Sequence, residues 1–102
     1  MLTKAFIPYK GYYSSPFARW QGSMANDNAI SLAGDTSQTW MKSKGWDPKK
    51  IEYVILGVTI GQPYLFFSGP WVSGLCGAVN TPGLLLSQAC STSTTGIDQA
   101  AT

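Results

Sequence analysis

Leu84-Leu85-Leu86-Ser87-Gln88-Ala89-Cys90-Ser91-Thr92-Ser93 is the stretch on which the fold turns. Three consecutive leucines make a short apolar run suited to a buried strand. A polar step follows, and then small residues suited to the start of a helix. This places Cys90 just past the carboxyl end of a strand, where a helix begins. In open α/β sheets, ligands and reactive groups gather at that edge. A helix amino terminus offers unpaired N–H groups and partial positive charge, which favour an anionic sulfur and can stabilise a neighbouring oxyanion. Ser91, Ser93 and Gly96 are small, so a bulky substrate can approach. Position alone leaves two roles open for Cys90, a nucleophile or a small inert hydrophobe. Cys76 sits between Leu75 and Gly77 inside an apolar stretch and reads as packing.

Working outward, Asn80-Thr81-Pro82-Gly83 is a turn, and Pro70 to Gly77 a short helix with proline in its first turn, where the missing N–H is harmless. Gly61 to Gly69 reads as a loop or lid carrying Tyr64, Phe66 and Phe67. Ile51 to Ile60 contains the unbroken run Val54-Ile55-Leu56, as expected of a strand buried on both faces in a parallel sheet. Upstream, Ala25, Ala29, Leu32, Ala33, Thr36 and Trp40 recur at helical spacing. Asn26 or Asp27 is the expected cap, Gly45 the stop, and Trp46-Asp47-Pro48 a turn. Gly11 to Gly22 mixes aromatics with turn formers and is expected to fold onto a core as an ordered loop. Residues 4 to 9 are expected to form a short first strand, with Pro8 marking its end or an edge position. The order β, α, β, α, β, α implies an α/β fold with a mainly parallel sheet and helices on its faces.

The chain has 102 residues, 44% hydrophobic and 12% charged. Soluble domains carry about 25% charged residues. A piece this small and this charge-poor is expected to bury surface against more chain or a partner. The net charge of +2 and the scattered Lys42, Lys44, Lys49 and Lys50 exclude a nucleic-acid groove. No apolar run is long enough to span a bilayer, and Pro8 and Lys10 interrupt any signal-peptide core after Met1. Two cysteines without a secretion signal imply a reducing, cytoplasmic setting. The absence of histidine removes Cys-His catalysis within the chain, and no metal site is expected.

Leu84 to Ser93 resembles the nucleophile segment of the thiolase family, where a strand ends in a short polar step before the cysteine and a helix of small residues. Ser14-Ser15-Pro16-Phe17-Ala18-Arg19-Trp20-Gln21-Gly22-Ser23 is similar to the thiolase amino-terminal motif. Asp47 to Gly57 resembles the family's second strand region, and Gly69 to Ala78 the short helix that follows. The similarities come in the family's order and span nearly the whole chain. Two departures are Ser14, where the family commonly has arginine, and Ser91-Thr92-Ser93 after the cysteine, in place of a Gly or Ala followed by Ser-Gly.

The resemblance implies an acyltransferase of thiolase type with Cys90 as the acyl-accepting nucleophile and the Cys90 backbone N–H as oxyanion donor. Coenzyme A and acyl-CoA would be substrates, with no permanently bound cofactor. It further implies that residues 1–102 are an incomplete N-terminal portion of a layered αβα thiolase domain, ending inside the helix after the nucleophile. The family takes a histidine and a proton-shuttling cysteine from its carboxyl-terminal half, and Cys76 lies in the wrong motif to be that shuttle. The chain alone is therefore expected to be inactive, needing the remainder of the enzyme or a complementary subunit, with a homo-oligomer expected for the complete protein. Two other readings stay open: a ketoacyl-synthase-like condensing enzyme fragment, and a non-catalytic lipid-carrier or scaffold subunit.

Overall fold

The computed structural model describes residues 4–102. Residues 1–3, the start of the expected 1–102 domain and of the stretch read for a leader, lie outside the described residues. In chain order the elements are α1 (Ala29–Lys44), β1 (Val54–Gly57), α2 (Ser68–Leu75), β2 (Gly83–Leu86) and α3 (Thr92–Ala101). Short 3₁₀ turns at Pro48–Lys50 and Ala89–Ser91 precede β1 and α3. The fold is mixed α/β with a two-stranded parallel sheet.

Helix α1 begins where Asn28 turns its side chain back, Oδ1 accepting from the N–H groups of Ile30 at 2.9 Å and Ser31 at 3.1 Å. This satisfies two of the donors that a helix start leaves unpaired. The cap is thus Asn28 and not Asn26 or Asp27, because Ser23 to Asp27 close turns of their own, with Ala25 N–H on Gly22 O and Asp27 N–H on Met24 O. Ala25 consequently falls off the helix face that its spacing suggested. The helix ends as expected at Gly45, at φ +69°. Gly45 N–H bonds Lys42 O and Trp46 N–H bonds Met41 O, the paired closure that a left-handed residue permits.

Strands β1 and β2 align Val54 with Gly83 through Gly57 with Leu86. Side chains alternate across a strand. Tyr53, Ile55, Gly57 and Thr59 face the groove beside α3, while Val54 and Leu56 face α1 and α2. Both strands are half-buried, where burial on both faces was expected, and Leu85 is 40% exposed. Among the described residues, two strands flanked by three helices leave part of the sheet uncovered.

Helix α2 starts at Ser68, two residues before Pro70, after Phe67 adopts a left-handed conformation at φ +57°. It packs on α1 and on both strands. Glycine makes this approach possible. A Cβ on Gly69 would stand 2.8 Å from the Leu84 backbone, and one on Gly34 would meet the Leu75 side chain at 2.5 Å. The core beneath it is small: Met41, Cys76 and Ala78, with Trp40 and Ile51 against them.

The expected first strand is absent. Residues 4 to 9 form no ladder, Gly11 N–H closes a turn onto Pro8 O, and Lys10 is left-handed at φ +56°. The aromatic loop also differs from expectation. Tyr12, Phe17 and Trp20 are exposed, and only Tyr13 is tied down. Its ring stacks on Trp40 at 4.8 Å and its hydroxyl bonds that of Ser37. One anchored aromatic does not bring its neighbours with it. Tyr64, Phe66 and Phe67 in the expected lid are exposed as well.

Candidate functional site

Strand β2 runs out at Leu86, and three residues later, at Ala89, the chain bends sharply into α3. Ala89 takes φ +48°, a left-handed conformation that costs a residue with a Cβ about 1 kcal/mol. Cys90 follows in the 3₁₀ turn, and the helix expected to begin at the cysteine begins two residues later, at Thr92. The bend turns the Cys90 thiol outward, free and exposed. The Cys90 backbone N–H donates to no acceptor among the described residues.

The bend is held by hydroxyls. Thr92 Oγ1 accepts the Gln88 N–H at 2.9 Å and donates to Ala89 O at 2.7 Å. Ser91 Oγ donates to Gln88 O at 2.9 Å, and Thr95 Oγ1 to Gln88 Oε1 at 2.7 Å. Nothing in the spacing signals this arrangement, because Thr92 stands in a run of Ser and Thr whose members look alike.

Cys90 borders an open groove of about 910 Å³ between β1 and α3. Its walls include Tyr53, Ile55, Leu84 and Ile97, with Thr92, Ser93 and Gln99 as polar points, and no charged side chain lines it. Such a surface suits an uncharged, partly aliphatic group. The middle of α3 passes over Ile55 at Gly96, where a Cβ would make an ordinary 3.9 Å contact with Ile55 Cγ2.

Cys76 is elsewhere and different. It is 3% exposed, its Sγ donating to Ser73 O at 3.4 Å. It contacts Met41 and Ala78 in the core, as its apolar neighbours implied. The Ser14–Ser23 motif does not meet Cys90 either. Ser14 and Ser15 line a separate apolar groove of about 520 Å³ on the α1 side, with Trp40 and Val54. Among the described residues no group of histidine, cysteine, aspartate or glutamate is placed to hold a metal, and no helix is long and apolar enough to cross a membrane. No family model, characterised protein or solved structure matches the chain.

Proposed function

We propose that the chain supplies the nucleophile of a thiolase-type acyltransferase, with Cys90 carrying the acyl group. The observation that carries this is the placement of one exposed thiol at the carboxyl end of a parallel strand, on the bend into a helix, beside an uncharged groove. In the cleavage direction Cys90 Sγ attacks the 3-oxo carbonyl carbon of a 3-oxoacyl-CoA. The carbonyl oxygen becomes an oxyanion facing the Cys90 N–H. The bond between the α and β carbons then breaks, its electron pair passing to the α carbon, which takes a proton and departs as acetyl-CoA. The thiol of free CoA attacks the acyl-cysteine, and the Cys90 sulfur leaves with the electrons of the C–S bond. Condensation is the reverse sequence.

Turnover requires an acid–base group, to relay protons at the thiol and to protonate the α carbon, whereas a single slow acylation of the exposed thiol does not. The chain contains no histidine, and its other cysteine is buried away from the groove. Those groups must come from further polypeptide, so the chain alone is a nucleophile without a proton relay. Exposed Phe6, Tyr12, Phe17 and Trp20 are in keeping with a further polypeptide covering this surface.

The test is mass spectrometry after incubation with an acyl-CoA, in which the Cys90 S–acyl bond forms and the CoA thiol leaves. We expect one acyl group on Cys90, lost in Cys90→Ser and retained in Cys76→Ser. An unlabelled protein, or label shared equally with Cys76, would remove the proposal in favour of a non-catalytic role. Turnover of acetoacetyl-CoA by the chain alone at an enzymatic rate would contradict its dependence on further polypeptide.

A further inference from the structure

We infer that Thr92 is the positioning residue for Cys90, clamping the bend on which the thiol sits; its bearing on acyl transfer rests on the reading of Cys90 as nucleophile. The left-handed Ala89 needs something to hold it. One Thr92 hydroxyl holds both residues that precede the cysteine, receiving the Gln88 N–H and giving its own proton to Ala89 O. Thr92 is 4% exposed, so water does not readily replace either bond. The bonds from Ser91 and Thr95 to Gln88 are exposed, where water can substitute for them.

The other branch of the same side chain fixes where the clamp stands. A Cβ on Gly57 would lie 2.7 Å from Thr92 Cγ2, so the end of β1 forms the seat against which the Thr92 methyl rests. Gly57 is paired in register with Leu86, the residue from which the bend departs. The sheet therefore locates Thr92, and Thr92 locates Gln88 and Ala89. Valine offers the shape without the hydroxyl. Serine offers the hydroxyl without the methyl.

The experiment uses the full chain with two readouts: amide hydrogen exchange at Gln88, and the rate of acetyl transfer from acetyl-CoA to Cys90. In Thr92→Val both hydroxyl bonds are lost, but Ala89 O keeps the Thr92 backbone N–H as a donor. We therefore expect faster Gln88 exchange and about three- to tenfold slower acetyl transfer, the size of the one bond that is not replaced. Thr92→Ser should fall between wild type and Thr92→Val in both readouts, because the hydrogen bonds survive while the methyl that seats the clamp is lost. Alkylation of Cys90 by iodoacetamide should move less than about twofold in Thr92→Val, since a small reagent needs no fixed orientation. That split separates positioning from a general loss of structure. Gly57→Ala removes no hydrogen-bonding group, yet it should shift Gln88 exchange and acetyl transfer in the same direction. Gln88 exchange at the wild-type rate in Thr92→Val overturns the inference, as does acetyl transfer at the wild-type rate. If Thr92→Val does not fold, unchanged Gln88 exchange in Gly57→Ala overturns it. If acetyl-CoA labels no cysteine while the exchange pattern is as expected, the clamp stands and the acyl-transfer function falls.

Discussion

The two helices that follow the strands touch the sheet in different ways. Helix α2 comes down through glycine, with Gly69 against the Leu84 backbone and Gly83 against that of Gly69, so main chain meets main chain. Helix α3 stands off on side chains, Thr92 against Gly57 and Ile55 beneath Gly96. Cys76, at the end of α2, is buried against Met41 and Ala78. Stand-off leaves a groove, and Cys90 opens onto it. The contrast shows two ways for a helix to meet this sheet, one through main chain and one through side chains.

The largest expected effect comes from breaking the α2 side. Gly69→Ala puts a Cβ against backbone that cannot rotate away, so a loss of about 3 kcal/mol, or failure to fold, is expected in urea titration followed by circular dichroism. A stability within error of wild type would mean that α2 does not sit as closely as described. The next effect compares the thiols. Cys76→Ser places a hydroxyl in the core and should destabilise by about 1–2 kcal/mol, whereas Cys90→Ser should change stability by less than about 0.5 kcal/mol. Equal losses would erase the distinction between the two regions. The smallest sharpens the glycine argument within one helix. Nothing lies within 4 Å of a Cβ on Gly74, so Gly74→Ala should stabilise by up to about 1 kcal/mol through helix propensity alone. Opposite signs at Gly69 and Gly74 would assign the close approach to one position.

Much of the sheet was legible in the sequence because its apolar runs are short and unbroken. Val54-Ile55-Leu56 and Leu84-Leu85-Leu86 pair in parallel as their separation by a helix implied. The depth of burial was not legible. An apolar run records what a strand can bury, and a sheet of two strands offers too little to cover it. The same limit applies to residues 4 to 9, where Phe6 and Ile7 suit a strand but no neighbouring strand takes them up. The start of α1 was misplaced because Asn26, Asp27 and Asn28 are equally good caps. Only the preceding turns, ending at Asp27, decide among them. At the site, the position of Cys90 followed from the end of a strand. The Thr92 clamp depends on φ at Ala89 and on a glycine in another strand, neither of which spacing reveals.

The unequal exposure of the two cysteines gives the folded molecule a thiol valence of one. Oxidation of a folded population can join two copies through Cys90 and then has no free sulfur left with which to continue. A covalent pair is the terminal product, whereas a chain with both sulfurs open would crosslink into polymers. Non-reducing electrophoresis thus doubles as a gauge of folding: bands beyond the pair report molecules in which the core around Cys76 has opened.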